Sequence, residues 1–210
     1  MNDFIEACKT GHVEVVRLLL ADSRVNPSSF DNSAIQWASQ KGHVEIVKLL
    51  LTDKRVNPAD DDNGAIHCAS VKGHVEVMRL LLADSRVDST DCDNLAIRCA
   101  SANGHVEVVR ILLADKRVDP SGFDNSAIKN ASGNGHVEVV SLLLADKRVD
   151  PAADDNRSIR LAVKKGHVEV VKLLLQDPRV DTSKAESDNP EIKELLAQWR
   201  YHPCRVTSKN

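Results

Sequence analysis

Aromatic residues make up only 3% of this 210-residue chain, although apolar residues reach 42%. Such a composition predicts a thin core built from Val, Leu, Ile and Ala. The chain also lacks an excess of basic residues: its formal net charge is −3, which argues against the basic footprint of a nucleic-acid-binding protein. No apolar run reaches the roughly 18 residues of a membrane span. Asp3 and Glu6 argue against a basic, then apolar, secretory leader.

Cysteine is present in odd number and without close pairing, at Cys8, Cys68, Cys92, Cys99 and Cys204. Cys68 and Cys99 are one repeat apart, and stacked helices lie about 10 Å from each other. A disulfide needs Cα atoms within about 7 Å, so we expect free thiols. The chain is therefore predicted to reside in a reducing compartment, the cytoplasm or alternatively the nucleus.

The dominant pattern is a repeat. The run Gly-His-Val-Glu occurs six times, beginning at Gly11 and recurring every 31 residues up to Gly166. A fixed period of this length predicts a stacked array of small helical units rather than a single globular domain.

One unit predicts two helices and a turn-forming arm. Ile35 and Ala38 are spaced for a short first helix with a narrow apolar stripe, and Asn32 is predicted to be its N-cap. Gly42 ends this helix in a left-handed conformation. The Val44–Leu51 segment, rich in Val, Ile and Leu, predicts a second helix with a broad apolar face.

This unit resembles the ankyrin repeat, whose pattern runs through a Thr-Pro-Leu-His turn, paired Ala, Gly-His, a Val/Leu-rich second helix and Val-Asn in a hairpin. The resemblance covers roughly residues 3–183. It implies an all-α helix-turn-helix solenoid with hairpin-like loops. The period of 31 is shorter than the usual 33 or so, and Ser-Ala-Ile-Gln stands where Thr-Pro-Leu-His is usual. Such shortened copies are similar to ankyrin arrays of amoebae and their large DNA viruses.

The array is expected to occupy residues 1–200 as one domain. Residues 1–28 would form an N-terminal capping repeat, 29–183 five full repeats, and 184–200 a C-terminal capping helix. Asn189 and Pro190 have the signature of an N-cap followed by the first helical position. Residues 201–210 show no period and are predicted to be a flexible tail.

Three residue clusters could suggest chemistry. The His-x-Glu pairs form a row with one pair per repeat, whereas a zinc site needs ligands that converge on one point; the family resemblance implies that each His binds the neighbouring hairpin backbone. Cys68 and Cys99 near His67 lack an orienting third group. The Asp60–Asp62 run lacks the glycine and closing Glu of a calcium loop. We therefore expect no enzyme activity, metal or cofactor.

The slots that vary between copies are the best candidates for function. In ankyrin arrays the equivalent slots, in the loops and along the first helix, line a concave groove where partners bind. Half of the chain's aromatic residues fall in them, and aromatic residues are enriched at interfaces. Drift on an idle surface is the competing interpretation. The predicted partner-binding residues are Phe30, Trp37, Gln40, Lys41, Asp60, Asp61, Cys68, Asp91, Arg98, Phe123, Lys129 and Arg160.

These residues predict a monomeric, non-enzymatic protein-binding module whose partner is another protein, with no nucleic acid or membrane involved. Phe30 and Trp37 would anchor the partner, while acidic loop tips and basic first-helix residues would set its orientation. Two alternatives remain open at this point. One is a structural spacer or host-directed decoy without a tight partner. The other is a substrate-recognition adaptor of a larger assembly.

Overall fold

A computed structural model describes residues 3–200, which contain thirteen helices and no strand. The helices alternate as first and second members of each repeat, and α13 follows alone at the end. Their bounds are α1 Asp3–Thr10, α2 Val13–Ala21, α3 Ser29–Lys41, α4 Val44–Thr52, α5 Asp60–Lys72, α6 Val75–Ala83, α7 Asp91–Ala102, α8 Val106–Ala114, α9 Gly122–Asn134, α10 Val137–Leu144, α11 Ala153–Lys165, α12 Val168–Leu174 and α13 Pro190–Arg200.

The helices group into two compact units, each described by itself. The first unit comprises residues 3–100 with Glu107–Asp119, and the second comprises Ser101–Val106 with residues 120–200. In the first unit, α1, α3 and α5 pack side by side as one layer, and α2, α4 and α6 as another. In the second unit, α9 packs on α11 and α10 on α12 in the same manner. Each unit is thus a stack of helix pairs, as the period predicts.

The predicted core positions are buried. In the second repeat, Ile35 is 1% exposed and Ala38 is fully buried on the first helix. Ile46, Val47 and Leu50 are fully buried on the second helix, where they fill the space between neighbouring pairs. A stripe of this width gives each helix pair enough apolar area to hold the next pair.

A glycine and a histidine hold the turn between the two helices. Gly42 has φ +73, a conformation that costs glycine little. A Cβ at Gly42 would lie 2.7 Å from Nδ1 of His74, so the imidazole of the next repeat packs directly on the glycine. Nε2 of His74 donates to the carbonyl of Gln40 at 3.0 Å.

This contact confirms the structural role predicted for the histidine, but its hydrogen-bond acceptor is not the predicted one. The resemblance implied the backbone of the neighbouring hairpin. The carbonyl that accepts the hydrogen bond instead belongs to the last turn of the preceding repeat's first helix, because helix ends leave their carbonyls unpaired. The same bond joins His43 to Lys9, His136 to Ala102 and His167 to Gly133.

An Asp-x-Arg sequence stabilises the loop after each second helix. The guanidinium of Arg55 binds both carboxylate oxygens of Asp53 and donates to the carbonyls of Leu20 at 2.8 Å and Val25 at 3.1 Å in the preceding repeat. Hydrogen bonding to Arg55 lowers the pKa of Asp53. Arg86, Arg117 and Arg179 likewise donate to backbone carbonyls of the preceding loop or helix, so these loops are joined to the preceding repeat by a charged fork rather than by strand pairing.

The two ends of the described chain differ. The outer face of α2 leaves Val15 45% and Leu18 72% exposed, and the N-terminal capping repeat over 1–28 stays a prediction. At the other end, the side chain of Asn189 accepts from the backbone N–H groups of Glu191 and Ile192 and so caps α13, as predicted. The predicted tail, residues 201–210, lies outside the described residues.

Candidate functional site

Each full repeat begins with a short left-handed turn. In the second repeat Phe30, Asp31 and Asn32 have φ values of 55, 53 and 55. The left-handed region costs an L-residue about 1–2 kcal/mol. Asn and Asp tolerate it best because their short side chains form local hydrogen bonds. This requirement explains why Asp-Asn recurs in all five left-handed turns while the residue before it changes.

Asn32 lies in this turn and is not the N-cap that the sequence predicted. Its side-chain oxygen does not cap the first helix but accepts from the backbone N–H of Asn57 at 2.9 Å, in the next repeat. Its amide nitrogen donates to Asp60 at 2.5 Å. The left-handed conformation aims the side chain away from the helix, so the helix amides are out of its reach. Asn63, Asn94, Asn125 and Asn156 accept equivalent bonds from the next loop.

The first residue of the left-handed turn is the most exposed of the predicted site positions. We call it the tip slot: Phe30, Asp61, Cys92, Phe123 and Asp154. All five are exposed, and the two phenylalanines keep 74% and 62% of their surface accessible. A bulky side chain in the left-handed region is a conformational outlier. Phe30 and Phe123 therefore combine backbone strain with apolar surface left in water.

Residues of the first-helix slot, six residues after the tip slot, contact the left-handed turn of their own repeat. Gln36, Arg98 and Arg160 reach back to backbone carbonyls of their own left-handed turn, at 2.9, 3.0 and 3.1 Å. The expected orienting cations Arg98 and Arg160 are therefore engaged by the turn itself. The left-handed turn directs its backbone carbonyls outward. Long polar side chains can therefore donate hydrogen bonds to them.

Lys129 shows this engagement most clearly. Its side chain is only 12% exposed, and its ammonium pairs with Asp124 at 3.0 Å and Asp154 at 3.3 Å. The sequence predicted a solvent-facing groove cation. The carboxylate five residues earlier in the same turn is instead its nearer partner, so Lys129 joins two consecutive loops of the second unit.

Trp37 is also more enclosed than predicted. The expectation was a largely exposed anchor beside Phe30, but its side chain is partly buried, with the ammonium of Lys9 at 4.8 Å from the ring centroid. A cation over an indole face is attracted by the ring quadrupole. Gln40 is partly buried with its carbonyl accepting from His74, whereas Lys41 is exposed.

The predicted acidic tip row separates into two kinds of residue. Asp60 accepts from the side chains of Asn32 and Asn57. Asp91 accepts from Asn63 at 2.8 Å and from the backbone of Cys92 at 2.7 Å, and the bond from Asn63 lowers its pKa. These carboxylates hold neighbouring loops together. Only Asp61 of the three predicted acidic contacts occupies the exposed tip slot.

The thiols and the imidazole beside them are shielded from water. Burial raises the pKa of Cys68 and Cys99, and burial lowers the pKa of His67. The resulting neutral thiols are poor nucleophiles. Cys8, fully buried in α1, has its pKa raised to about 12 by burial.

Two other kinds of site are absent from residues 3–200. No group of three or more His, Cys, Asp or Glu side chains in this range could hold a metal ion. No helix in the same range is long and apolar enough to cross a membrane.

Sequence reasoning overlooked the residues that join repeats. The Asn of the left-handed turn and the Asp-x-Arg fork recur without change, at 31-residue spacing, in positions that are not apolar. Invariance of a polar residue between copies was the signal that could have identified them, because solvent-exposed positions vary freely.

Comparison with known families agrees with this architecture. A family model described as "Ankyrin repeats (3 copies)" matches residues 4–62 and 96–186, and one described as "Ankyrin repeats (many copies)" matches residues 66–113. No curated protein shows a significant match to the chain. Helix pairs, glycine-histidine turns and family matches over more than half of the sequence lead to one conclusion: the chain belongs to the ankyrin-repeat family.

Proposed function

We propose that this protein binds another protein through its tip slot, with Phe30 in the first unit and Phe123 in the second as the apolar anchors. Ankyrin repeats are in general protein–protein interaction modules without enzyme activity. What supports this particular surface is that Phe30 leaves 74% of its side chain in water while adopting a left-handed backbone. The fold gains little from such a residue, whereas a binding partner would gain much.

The neighbouring side chains suit this role. Asp61 is exposed in the next tip slot, and Lys41 is exposed at the end of the same first helix as Phe30. Exposed charges of both signs on the same unit as the apolar anchor can fix the orientation of a partner as well as its affinity. We assign Asp60, Asp91, Arg98, Lys129 and Arg160 to scaffold support, since their polar atoms bind within the chain.

Site-specific crosslinking tests the proposal. A photoreactive phenylalanine analogue at position 30 is expected to capture a discrete partner from cell extract. Leu18 is the matched control: it is 72% exposed and apolar but lies on the outer face of α2 rather than in a tip slot. The same analogue at position 18 should capture none of that partner.

Substitution completes the test. Phe30→Ala combined with Phe123→Ala should weaken binding of the captured partner by at least about 2 kcal/mol, the usual effect of losing an anchor pair. Leu18→Ala should leave the affinity unchanged. If the double variant binds as tightly as the wild type, the tip slot is not the interface and the interpretation as a spacer is favoured.

A further inference from the structure

The second unit contains a groove that the tip slot does not include. We call it the end groove. It has a volume of about 890 Å³ and lies between the end of α11, residues 163–166, the segment 185–189, and the α13 side chains Lys193, Leu196, Ala197 and Arg200. A smaller cavity of about 380 Å³ adjoins it and shares Lys164 and Ala185.

The end groove exists because the repeat is interrupted there. Earlier first helices begin 31 residues apart, but α13 begins only at Pro190, and residues 184–189 are not helical. At Gly135 the next repeat fills the turn, since a Cβ there would lie 2.7 Å from Nδ1 of His167. At Gly166 nothing lies within 4 Å of the same position.

The backbone of the end groove also retains the acceptor that a histidine would use. The carbonyls of Lys9, Gln40, Ala102 and Gly133 each accept from a histidine of the following repeat. Lys164 is the equivalent residue of the last repeat, and residue 198, where its histidine would stand, is Gln198. No described side chain donates to the Lys164 carbonyl. A ligand with an N–H group can therefore donate to the Lys164 carbonyl in the way that a histidine does in the earlier repeats.

Charge defines the chemistry of that ligand. Lys164, Lys165, Lys193 and Arg200 line the end groove against two carboxylates, Glu186 and Asp188. The adjoining cavity also has Arg157, Arg160 and Lys184, but these side chains pair with Asp154 or Asp155, so the excess of positive charge is that of the end groove itself. This local excess of positive charge occurs in a chain whose net charge is −3. It therefore favours an acidic ligand at this end of the second unit.

The cations differ in their availability. Arg200 is committed to the scaffold, where it donates to the carbonyls of Thr182 at 2.5 Å and Ala185 at 2.9 Å. Lys193 has only a long, exposed ion pair with Asp188 at 3.7 Å. No carboxylate among the described residues lies within ion-pair distance of Lys164, which is exposed. Lys164 and Lys193 can thus meet a ligand without breaking a strong internal pair. Lys165 gives up only a hydrogen bond to the side-chain oxygen of Asn134 at 3.2 Å.

The remaining lining favours a peptide over a nucleic acid. Val163, Ala185 and Leu196 give the end groove an apolar floor, and no aromatic side chain lines it among the described residues. Single-stranded nucleic acids need aromatic platforms for their bases, which the lining of the end groove does not provide. An extended peptide can place backbone N–H groups near these carboxylates and the Lys164 carbonyl.

We propose that the end groove binds an acidic peptide segment of another protein, with glutamate or aspartate side chains on Lys164, Lys165 and Lys193 and an aliphatic side chain over Leu196. This site is independent of the tip slot. It requires neither Phe30 nor Phe123.

The test uses the full chain and a fluorescein-labelled peptide, Glu-Leu-Glu-Glu-Leu-Glu, with its Gln-for-Glu analogue as the neutral control. Fluorescence anisotropy should show saturable binding of the acidic peptide only, weakening with added salt. Lys164→Glu with Lys165→Glu should reduce the affinity by about tenfold or more. Lys41→Glu with Lys72→Glu is the matched control, since Lys41 and Lys72 occupy the slot of Lys165 in earlier repeats; its affinity should change by less than about twofold.

Two further variants separate a shaped site from a diffuse cationic surface. Ala197 is exposed on α13 and lines the end groove, so Ala197→Trp should obstruct part of it and weaken binding about tenfold without a change in charge. Phe30→Ala with Phe123→Ala should bind the peptide as the wild type does, which keeps this test distinct from that of the tip slot. Circular dichroism confirms that each variant is folded, and Lys164→Gln replaces the double reversal if that variant is not.

Three results would overturn the proposal. The first is no saturable binding of the acidic peptide. The second is equal weakening by the two double charge reversals, which would reveal attraction to the whole surface. The third is full binding by Ala197→Trp, which would place the peptide outside the end groove.

Discussion

The side-chain oxygen of Asn63 accepts a hydrogen bond from the backbone N–H of Asp88 at 2.8 Å, 25 residues along the chain. The same side chain donates to Asp91 at 2.8 Å. One amide that is 6% exposed therefore fixes the position of the next loop at two points while its own backbone is left-handed. Asn63 therefore meets two requirements: it adopts a left-handed backbone conformation, and its side chain forms two hydrogen bonds with the next loop.

Substitution at Asn63 should separate these two requirements. Asn63→Ala loses both hydrogen bonds and retains a strained backbone, so it should reduce the free energy of unfolding by about 2–4 kcal/mol. Asn63→Gly loses the bonds but adopts φ +57 without strain. We expect the glycine variant to be more stable than the alanine variant by about 1 kcal/mol in urea unfolding. The reverse order would show that the left-handed turn carries no strain.

Gly135 and Gly166 form a matched pair for the histidine contact. Both have φ +78, yet only Gly135 faces an imidazole. Gly166→Ala should cost the conformational strain alone, about 1–2 kcal/mol. Gly135→Ala should cost about 1–3 kcal/mol more, because its Cβ must displace His167. Equal losses in thermal unfolding would mean that His167 moves aside freely.

Phe30→Gly is expected to stabilise the fold while abolishing the proposed anchor. Relief of the left-handed strain outweighs the greater freedom of glycine in the unfolded chain, giving a gain of about 0.5–1 kcal/mol in the free energy of unfolding. Phe30→Ala keeps the strain and should show no such gain. Leu18→Gly, at a similarly exposed site inside a helix, should lose about 1 kcal/mol. A loss of stability in Phe30→Gly would contradict this account of the tip slot.

Acid should weaken the loops through the Asp-x-Arg forks. The side-chain hydrogen bond from Arg117 lowers the pKa of Asp115 to about 2, and a bond from Ser89 Oγ at 2.9 Å contributes. The unfolded-state pKa is near 3.9, so the folded state holds its proton more weakly. The stabilisation is therefore complete above about pH 4 and is lost as the pH falls toward 2.

The measurement is the free energy of unfolding as a function of pH. The difference between the wild type and Asp115→Asn should be constant between about pH 7 and 5, where the lowered pKa of His67 affects both proteins alike, and should shrink below about pH 4. Asp115→Asn should be less stable than the wild type at neutral pH and should approach it at about pH 2. Parallel curves for the two proteins would show that Asp115 does not contribute.

The sequence predicted the helices and the core because both depend on a period that local chemistry enforces. Ile35, Ala38 and Leu50 must face the stack wherever they recur, and the structure buries all three. The first-helix slot was less predictable. Arg98 and Lys129 are long cations in variable positions, and sequence alone gives no indication that the preceding turn offers them partners five or six residues away.

One dipeptide shows the limit of local rules. Asp-Asn forms part of the left-handed turn inside α3 at Asn32 and directly precedes α13 at Asn189. Asn189 caps its helix, whereas Asn32 is left-handed and binds the next loop. Pro190 follows Asn189 and sets the first helical residue, while Asn32 has a further repeat to bind. The tertiary neighbour, not the dipeptide, decides between the two roles.

The hydrogen bonds between repeats have a genetic consequence. Those described here span 25 to 35 residues and recur with the 31-residue period. Excision or duplication of one 31-residue segment within either unit would bring the His, Asn and Arg side chains that bind the backbone of a neighbouring repeat to equivalent partners, so these bonds would form again. Unequal recombination between copies of the coding sequence can therefore shorten or lengthen this protein without creating a misfolded intermediate form. Its length is open to natural selection in steps of one repeat.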